Sequence, residues 1–320
     1  MKIRILITIG DINGIGPEIV LKTLGRKDIT SKYDITVITP VTVFEYYYRL
    51  LHVKPVKGKF RIISIGEDKV KIQPGKITKE SGYISGLAIQ TAAELCKRKK
   101  YDVIVTAPIS KKALNLGGFN YSGHTEMLAD LCNAKDSVMI MVSTKFKIGF
   151  ATTHPPIKDV PKIITKELLT NKIEICYKSL KNDFGIKNPS IGVLSLNPHG
   201  GENGQIGREE IDIIISVIKK ISKKYKNLNI KGPFPSDAYF ANKNYQKFDM
   251  TYAMYHDQGL IPFKMLAGMK GVNFTAGLPI IRTSPDHGAA HDIAGKGLAS
   301  EESLIEAIKW GEKIFKSRSV

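Results

Sequence analysis

Residues 5–18 read Ile-Leu-Ile-Thr-Ile-Gly-Asp-Ile-Asn-Gly-Ile-Gly-Pro-Glu, and this stretch decides the fold. Its apolar and β-branched start predicts a buried strand. The strand leads into a glycine-rich turn with Pro17 and Glu18, residue types that suit the first turn of a helix. The same order recurs where Val103–Val105 runs into TAPISK at 106–111. Strands that lead directly into helices, repeated along a chain, indicate an α/β fold.

Short apolar runs alternate with longer amphipathic segments along the rest of the chain. The runs predict strands at 5–9, 35–39, 60–65, 102–108, 137–143, 147–154 and 191–199. The amphipathic segments predict helices at 16–24, 83–98, 124–132, 165–183, 207–225 and 301–317. Trp310 lies in the last of these helices among isoleucines whose spacing predicts packing. Ligands in such folds gather beyond the carboxyl ends of the strands.

The composition predicts a soluble, cytoplasmic protein that makes no membrane contact. With 320 residues and 42% hydrophobic content, the chain can bury one large core or two ordinary cores, and two lobes with a cleft are expected. No apolar run approaches the ~18 residues that span a bilayer, and the first run breaks at Asp11, too soon for a secretory signal. Cys96, Cys132 and Cys176 are scattered, which predicts buried thiols and argues against a disulfide framework or a thiolate zinc site.

A formal net charge of +18 raises the possibility of nucleic-acid binding. The lysine-rich runs at 97–100 and 219–227 lie at the ends of amphipathic segments, where positive charge suits a helix C-terminus. No interleaved aromatic residues or nucleic-acid motif accompany them, so no nucleic-acid partner is expected. A positive field would raise the local concentration of a phosphorylated substrate and an anionic cofactor.

Three histidines occupy turn-like sequences after apolar runs: His154 in ATTHPP, His199 in NPHGGENG and His256 in YHDQG. Three imidazoles with one open coordination position are typical of a catalytic metal site. Each histidine alone also fits an ordinary structural role. Their separation prevents them from sharing a helix face, so only the fold can bring them together.

The first glycine turn has two readings that the sequence leaves open. Its glycines, Gly10, Gly14 and Gly16, do not match the dinucleotide pattern G-x-G-x-x-G. Backbone N–H groups at the start of a helix favour anions, yet a plain tight turn fits equally well. Asp11 and Lys111 follow two predicted strands and are candidate cleft residues.

The chain resembles the 4-hydroxythreonine-4-phosphate dehydrogenases of pyridoxal phosphate biosynthesis from about residue 6 to about residue 300. The motifs that carry the resemblance occur in the family's order; they are GDINGIGPE, TAPISK, GHTE at 123–126, NPHGGE with GREE at 207–210, PSDA at 235–238, and YHDQG. The first turn reads Asp-Ile-Asn where many relatives have Asp-Pro-Ala. Residues 287–297, HGAAHDIAGKG, also look like the adenosine-binding loop of isocitrate and isopropylmalate dehydrogenases.

This resemblance implies an isocitrate/isopropylmalate dehydrogenase-like architecture of two α/β/α lobes with a cleft between them. Residues 1–130 and 280–320 would form the first lobe, which contains both termini. Residues 131–279 would form the second lobe, which carries the metal ligands and the dimer contacts. The family is homodimeric, with its active site at the subunit interface and ligands from both chains.

The implied reaction is the oxidation of 4-phosphooxy-L-threonine by NAD or NADP, followed by decarboxylation to 3-amino-2-oxopropyl phosphate. His154, His199 and His256 are assigned as ligands of one divalent ion. Zinc is favoured, and magnesium, manganese or cobalt are alternatives. Asp237 and Asp257 are the catalytic candidates; either could orient a ligand imidazole or take the hydroxyl proton.

The remaining site residues follow from the same resemblance. The substrate phosphate and carboxylate would be bound by His124, Thr125, Lys264, Asn273 and Arg282. Lys264 lies in the apolar run IPFKMLA, where a substrate contact is favoured over a surface role. The cofactor would be bound by His287, Gly288, Ala289 and Asp292. Lys296 is one of many lysines that could bind a 2′-phosphate, so the choice between NAD and NADP stays open.

Two other functions remain open. A related dehydrogenase could act on another four-carbon acid phosphate, such as threonate or erythronate 4-phosphate, which lacks the amino group. A metal-dependent hydrolase or decarboxylase would use the same metal without redox chemistry.

Overall fold

The computed structural model describes residues 2–53, 55–56, 58–66 and 70–319. Two compact units are present: unit 1 comprises Met1–Lys135 with Leu278–Phe315, and unit 2 comprises Asp136–Gly277 with Lys316–Val320. The boundaries that the resemblance implies fall after residues 130 and 279. Both units contain strands and helices in alternation, which confirms the predicted α/β class.

The strands, in chain order, are β1 (Arg4–Thr8), β2 (Asp34–Ile38), β3 (Phe60–Ile63), β4 (Val103–Thr106), β5 (Val138–Val142), β6 (Lys147–Phe150), β7 (Ser190–Leu194), β8 (Asn229–Phe234), β9 (Met250–Ala253), β10 (Val272–Ala276) and β11 (Arg282–Pro285). The helices are α1 (Gly16–Gly25), α2 (Lys27–Thr30), α3 (Val41–Leu51), α4 (Lys79–Lys97), α5 (Lys111–Leu116), α6 (His124–Leu131), α7 (Val160–Ile163), α8 (Lys166–Asn182), α9 (Ile215–Lys224), α10 (Ser236–Ala241), α11 (His256–Ala267) and α12 (Glu302–Arg318).

Unit 1 is built on a parallel sheet with the strand order β3-β2-β1-β4-β11. Ile5, Leu6 and Ile7 on the central strand β1 are fully buried, as their apolar run predicts. Because all the strands run in one direction, their carboxyl ends share one edge of the sheet. The glycine turn after β1 and the residues after β4 and β11 therefore lie along that edge.

Unit 2 contains strands in the order β10-β5-β6-β9-β7-β8. The first two pairings, β10 with β5 and β5 with β6, are antiparallel. The pairings from β6 through β9 and β7 to β8 are parallel. The carboxyl ends of these last four strands consequently meet at one edge, and the chain leaves each of them shortly before a predicted site residue.

Helix starts follow the expected capping chemistry at several positions. The Thr78 hydroxyl accepts a hydrogen bond from Ser81 N at the start of α4, and Thr165 does the same for Leu168 N at α8. Helix α4 approaches α5 at Gly82, where a Cβ atom would lie 1.7 Å from the Ala113 carbonyl oxygen. Only glycine permits this approach.

Helix α11 is the main difference from the sequence-based prediction. The sequence indicates a turn at YHDQG, but His256 is the first residue of a helix that continues through Pro262 to Ala267. Gly259 and Pro262 conceal this helix from propensity rules. Packing stabilises it: Phe263 is fully buried, and a Cβ atom on Gly259 would lie 2.6 Å from Ile148 Cδ1.

Other predictions about packing are confirmed. Trp310 is 8% exposed within α12. Cys96, Cys132 and Cys176 are buried free thiols, and burial raises the pKa of Cys96 and Cys176 to about 12. The predicted helix at 207–225 begins with a π-helical turn, Glu210–Ile214, before α9. In the part of the chain that the structure describes, no helix has the length and apolarity to cross a membrane.

Candidate active site

The predicted metal ligands and acids of unit 2 follow the carboxyl ends of its four parallel strands. His154 comes after β6, His256 after β9, His199 after β7 and Asp237 after β8. Parallel strand ends are where ligand groups gather in α/β sheets. The common direction of these strands, which the sequence alone does not show, places all four residues on one edge.

His154 and His256 lie close together because the pairing of β6 with β9 continues beyond both strands. Ala151 N donates to the Ala253 carbonyl at 2.9 Å, and Thr152 N donates to the Met254 carbonyl at 3.2 Å. The imidazole centroids of His154 and His256 are 6.1 Å apart. Two imidazoles bound to one zinc ion at ~2.1 Å have centroids roughly 5–6 Å apart, so this pair is slightly wider than the spacing at a shared divalent ion.

Asp257 orients His256. The His256 Nδ1 atom lies 2.6 Å from Asp257 Oδ1, which leaves Nε2 as the nitrogen able to bind a metal. Both residues reach solvent, with 36% of the His256 side chain and 68% of the Asp257 side chain exposed. The sequence leaves two roles open for Asp257, and this contact corresponds to the orienting one.

His199 lies in a turn with unusual backbone geometry. Residues 199–203 all have positive φ angles, and the non-glycine members His199, Glu202 and Asn203 have φ values of 51°, 44° and 55°. Left-handed conformations cost non-glycine residues roughly 1 kcal/mol or more each, so surrounding contacts must hold them. Such strain is common at functional sites.

Glu210 holds the segment that enters this turn, and the sequence analysis did not identify it. Its buried carboxylate accepts hydrogen bonds from Leu196 N at 2.7 Å, Asn197 N at 2.8 Å and Asn197 Nδ2 at 2.9 Å. A Cβ atom on Gly201 would lie 2.8 Å from Glu210 Oε2. The GREE motif thus supports the turn that carries His199.

His199 does not complete a metal site with the other two histidines within one chain. Among the described residues, no group of three or more His, Cys, Asp and Glu side chains is arranged to hold a metal ion. The structure brings His154 and His256 together and leaves His199 outside that pair. The three-ligand assignment stays a prediction.

The other predicted residues of unit 2 occupy two environments. Asp237 lies exposed in the first turn of α10, and Lys264 lies exposed on α11. Asn273, on β10, differs from both: its Oδ1 atom is buried and has no hydrogen-bond partner among the described residues. A buried acceptor without a partner is rare and indicates a group that awaits a ligand or water.

In unit 1, Arg282 is 2% exposed at the start of β11. Its Nε and Nη2 atoms donate to the Thr106 hydroxyl at 3.0 Å and 2.8 Å. Burial lowers the pKa of Arg282 to about 9, and the charge of Glu126 opposes this shift. The guanidinium is therefore cationic at neutral pH in a site where an anion would be strongly attracted.

His124 and Thr125 begin α6 in the same unit. The Nε2 atom of His124 is buried and lacks a hydrogen-bond partner within the described part of the chain. Burial lowers the pKa of His124 well below its ordinary value, and the charge of Arg282 lowers it further. His124 is consequently a neutral hydrogen-bonding group at physiological pH, and Arg282 supplies the charge.

The first glycine turn supports the loop at 287–297. Ile15 N donates to the Ala289 carbonyl at 2.9 Å, and His291 Nε2 lies 3.1 Å from Asp11 Oδ2. Glu18, fully buried on α1, accepts a hydrogen bond from Ala299 N at 2.7 Å, beyond the loop's end. These contacts fix one side of the loop.

The two readings of the first glycine turn can be compared with its hydrogen bonds. Its N–H groups are used internally: Asp11 N bonds to the Pro108 carbonyl, Asn13 N to the Asp11 side chain, Gly14 N to the Asp11 carbonyl and Ile15 N to Ala289. Asp11 is fully buried, so it is not a cleft residue. For these four N–H groups the contacts agree with a plain tight turn that supports the loop.

The loop's other side is open. A Cβ atom built on Gly288 would meet no atom within 4 Å, and Asp292 is exposed. His287 is partly exposed, with Nδ1 3.2 Å from the Gly288 carbonyl, and Ala289 is buried beneath them. One side of the loop is held by hydrogen bonds and the other is open to solvent, so a nucleotide could approach its backbone closely.

Comparison with known proteins identifies the family to which the chain belongs. The family model for the pyridoxal phosphate biosynthetic protein PdxA matches residues 22–311. The 4-hydroxythreonine-4-phosphate dehydrogenase of Bacteroides thetaiotaomicron is 41% identical, with 99% of this chain and 90% of the relative covered. The D-threonate 4-phosphate dehydrogenase of Cupriavidus necator is 38% identical, with 98% and 97% covered.

A solved structure agrees with these sequences. The crystal structure of 4-hydroxythreonine-4-phosphate dehydrogenase from Klebsiella pneumoniae matches this fold with a TM-score of 0.86. It is 33% identical, and the match covers 98% of both chains.

Proposed function

The chain belongs to the family of the pyridoxal phosphate biosynthetic protein PdxA, and from that premise we propose that it oxidises 4-phosphooxy-L-threonine with a nicotinamide cofactor and decarboxylates the product. The observation that carries this proposal is the 41% identity, over 99% of the chain, to a relative named for this activity. The geometry of both units supports it.

The reaction proceeds in two stages. Hydride leaves C3 of the substrate for the nicotinamide ring while the C3 hydroxyl loses its proton, which gives a β-keto acid. The bond between the carboxylate and C2 then breaks, and carbon dioxide leaves. The electron pair of the broken bond moves toward the ketone oxygen. A proton added at C2 completes 3-amino-2-oxopropyl phosphate. Negative charge therefore develops on the same oxygen in both stages.

His154, His199 and His256 would hold the divalent ion. A divalent cation in that position supplies a Lewis acid for the reacting oxygen. Zinc suits an imidazole set, and magnesium, manganese and cobalt remain alternatives. Asp257 orients His256 through its 2.6 Å contact, and Asp237 remains the carboxylate available to take the hydroxyl proton.

Substrate recognition is assigned to the buried polar groups. Arg282 offers a cation in a desolvated setting, and His124 Nε2 and Asn273 Oδ1 are buried atoms that still need partners among the described residues. An acceptor such as Asn273 Oδ1 suits the substrate's ammonium or hydroxyl group. Thr125 and Lys264 would add hydrogen bonds to the phosphate or carboxylate.

The open face of the loop would bind the adenosine half of NAD or NADP. Gly288 allows the nucleotide to approach the backbone closely, and His287 and Ala289 flank this position. Asp292 is exposed and would bond a ribose hydroxyl.

We also propose a homodimer that completes the metal site. His154 and His256 form a pair in one chain, so His199 of the partner subunit would be the third ligand. The helix that carries His256 also exposes apolar side chains: Ile261 is 58% and Met265 81% exposed, and Met269, in the short turn after the helix, is 59% exposed. Exposed apolar side chains on a helix of the site suit contact with a second copy.

A second candidate function is the oxidation of D-threonate 4-phosphate, because a relative with that name is 38% identical over 98% of the chain. A substrate panel decides between the two. The purified protein is given 4-phosphooxy-L-threonine, D-threonate 4-phosphate or D-erythronate 4-phosphate with either nicotinamide, and kcat/KM is measured from nicotinamide reduction. Our proposal requires the amino acid phosphate to be the best substrate.

A further inference from the structure

Gln258, on the first turn of α11, connects the polar turns of unit 2. Its Oε1 atom accepts a hydrogen bond from Met254 N at 2.6 Å. Its Nε2 atom donates to the Ser195 carbonyl at 2.6 Å and to the Ser236 hydroxyl at 2.8 Å. One side chain thus joins segments that follow three different strands.

Each partner of Gln258 lies within four positions of a proposed site residue in the chain. Met254 follows β9 and precedes His256 in the chain. Ser195 follows β7, and the carboxylate of Glu210 accepts hydrogen bonds from the next two residues, Leu196 and Asn197, on the way to the His199 turn. Ser236 is the first residue of α10 and precedes Asp237.

Only glutamine suits this position. Met254 N requires an acceptor and the Ser195 carbonyl requires a donor, so the orientation of the carboxamide is fixed by its backbone partners. A glutamate would keep the first contact and place a carboxylate oxygen against the Ser195 carbonyl. An asparagine is one methylene shorter, and a cation would lack the acceptor.

We propose that Gln258 is a positioning residue: it fixes the start of α11, which carries His256, and the turns that carry His199 and Asp237, and so supports ligands of both metal sites in the proposed dimer. The loss of one end of its carboxamide would let these turns move independently. Since metal ligands must be held near their productive geometry by their supports, metal affinity would fall while the fold remains. This inference rests on the proposed metal role of the histidines.

The test measures metal binding directly, without turnover. The full-length protein is stripped with a chelator, and Zn²⁺ affinity is determined by competition with a chromophoric chelator. The visible spectrum of bound Co²⁺ reports the ligand geometry. Gln258→Glu should lower Zn²⁺ affinity about 10- to 100-fold, as the loss of a ligand's support typically does, and should alter the Co²⁺ spectrum.

Gln246→Glu, the same change at an exposed position in unit 2, is the matched control and should alter neither quantity. If Gln258→Glu does not fold, Ser236→Ala removes a single hydrogen bond and should lower Zn²⁺ affinity roughly 3-fold. Urea unfolding of each metal-free variant separates loss of stability from loss of affinity.

The outcomes are distinguishable. The inference would be overturned if His256→Ala binds Zn²⁺ weakly while folded Gln258→Glu keeps the wild-type Zn²⁺ affinity and Co²⁺ spectrum. Where Gln258→Glu does not fold, the same result with folded Ser236→Ala would overturn it. If His256→Ala also binds Zn²⁺ as the wild type does, the proposed metal role itself is wrong.

Discussion

The Nε2 atom of His291 lies 3.1 Å from the Oδ2 atom of the buried Asp11, 280 positions earlier in the chain. The other carboxylate oxygen of Asp11 accepts a hydrogen bond from Asn13 N at 2.9 Å. Asp11 therefore joins the first glycine turn to the middle of the loop at 287–297. The motif that begins the chain's first α/β unit acts as a support for the proposed nucleotide loop.

We expect His291→Ala to weaken nicotinamide binding. The change leaves Asp11 Oδ2 buried without this partner, which costs about 1–3 kcal/mol, and it loosens the loop. The KM for the nicotinamide should rise roughly 10-fold while kcat at saturation changes little. Cofactor titrations measure both. His52→Asn replaces an exposed imidazole in a left-handed position that asparagine tolerates, and should have no effect. An unchanged cofactor KM in His291→Ala would count against the loop's role.

Local patterns predicted the elements that carry strong periodicity. The strand β1, the turn after it and helix α1 follow from residues 5–18, since apolar runs, glycine and proline act over short distances. The partners of Asp11 and of Gln258 could not be predicted, because their contacts join positions that are 280 and 63 residues apart. Only the strand order brings them together.

Helix α11 shows why local rules fail at a site. Gly259 and Pro262 are poor helix formers, and sequence reasoning therefore read His256 as part of a turn. The close packing of Gly259 against Ile148 outweighs that preference. The three histidines were identified from their turns, but the sequence could not show that His154 and His256 pair and that His199 stands apart.

Mixed chains should reveal how the metal site is shared. His154 and His256 pair within one chain at 6.1 Å, so a heterodimer of His199→Ala with His256→Ala regains one complete site. Doubly tagged heterodimers should recover about half of the wild-type activity, as one of two symmetric sites is restored. The pair His154→Ala with His256→Ala should stay inactive, because each site then lacks a ligand. Recovery in the second pair alone would refute this arrangement.

Substrate binding should weaken at high pH. Burial lowers the pKa of Arg282 to about 9, so the guanidinium is cationic below that pH and loses its charge above it. The KM for the phosphorylated substrate should therefore rise up to ~10-fold per pH unit above about 9. Competitive inhibition by inorganic phosphate should weaken over the same range. Phosphate has no amino group whose own titration would change the pH dependence of binding. A flat inhibition constant from about pH 8 to about pH 10 would show that Arg282 keeps its charge over this range, against the lowered pKa.

Lys264→Ala should affect substrate binding alone. The ammonium lies exposed on α11, and its proposed partner is the substrate anion. The loss of a charge-assisted hydrogen bond should raise the substrate KM about 10-fold or more, with metal content and unfolding midpoint unchanged. Lys270→Ala, an exposed lysine shortly after α11, is the matched control. Equal effects of both substitutions would indicate a general loss of positive field.

The central claim is that nicotinamide-dependent oxidation precedes decarboxylation, and the coupling of the two products tests it most directly. Purified protein, a divalent metal and 4-phosphooxy-L-threonine are incubated with and without NAD or NADP, and reduced nicotinamide and carbon dioxide are quantified together. Our account predicts equal amounts of both products when nicotinamide is present and no carbon dioxide when it is absent. Carbon dioxide release without nicotinamide would contradict it, because the protein would then be a non-redox decarboxylase.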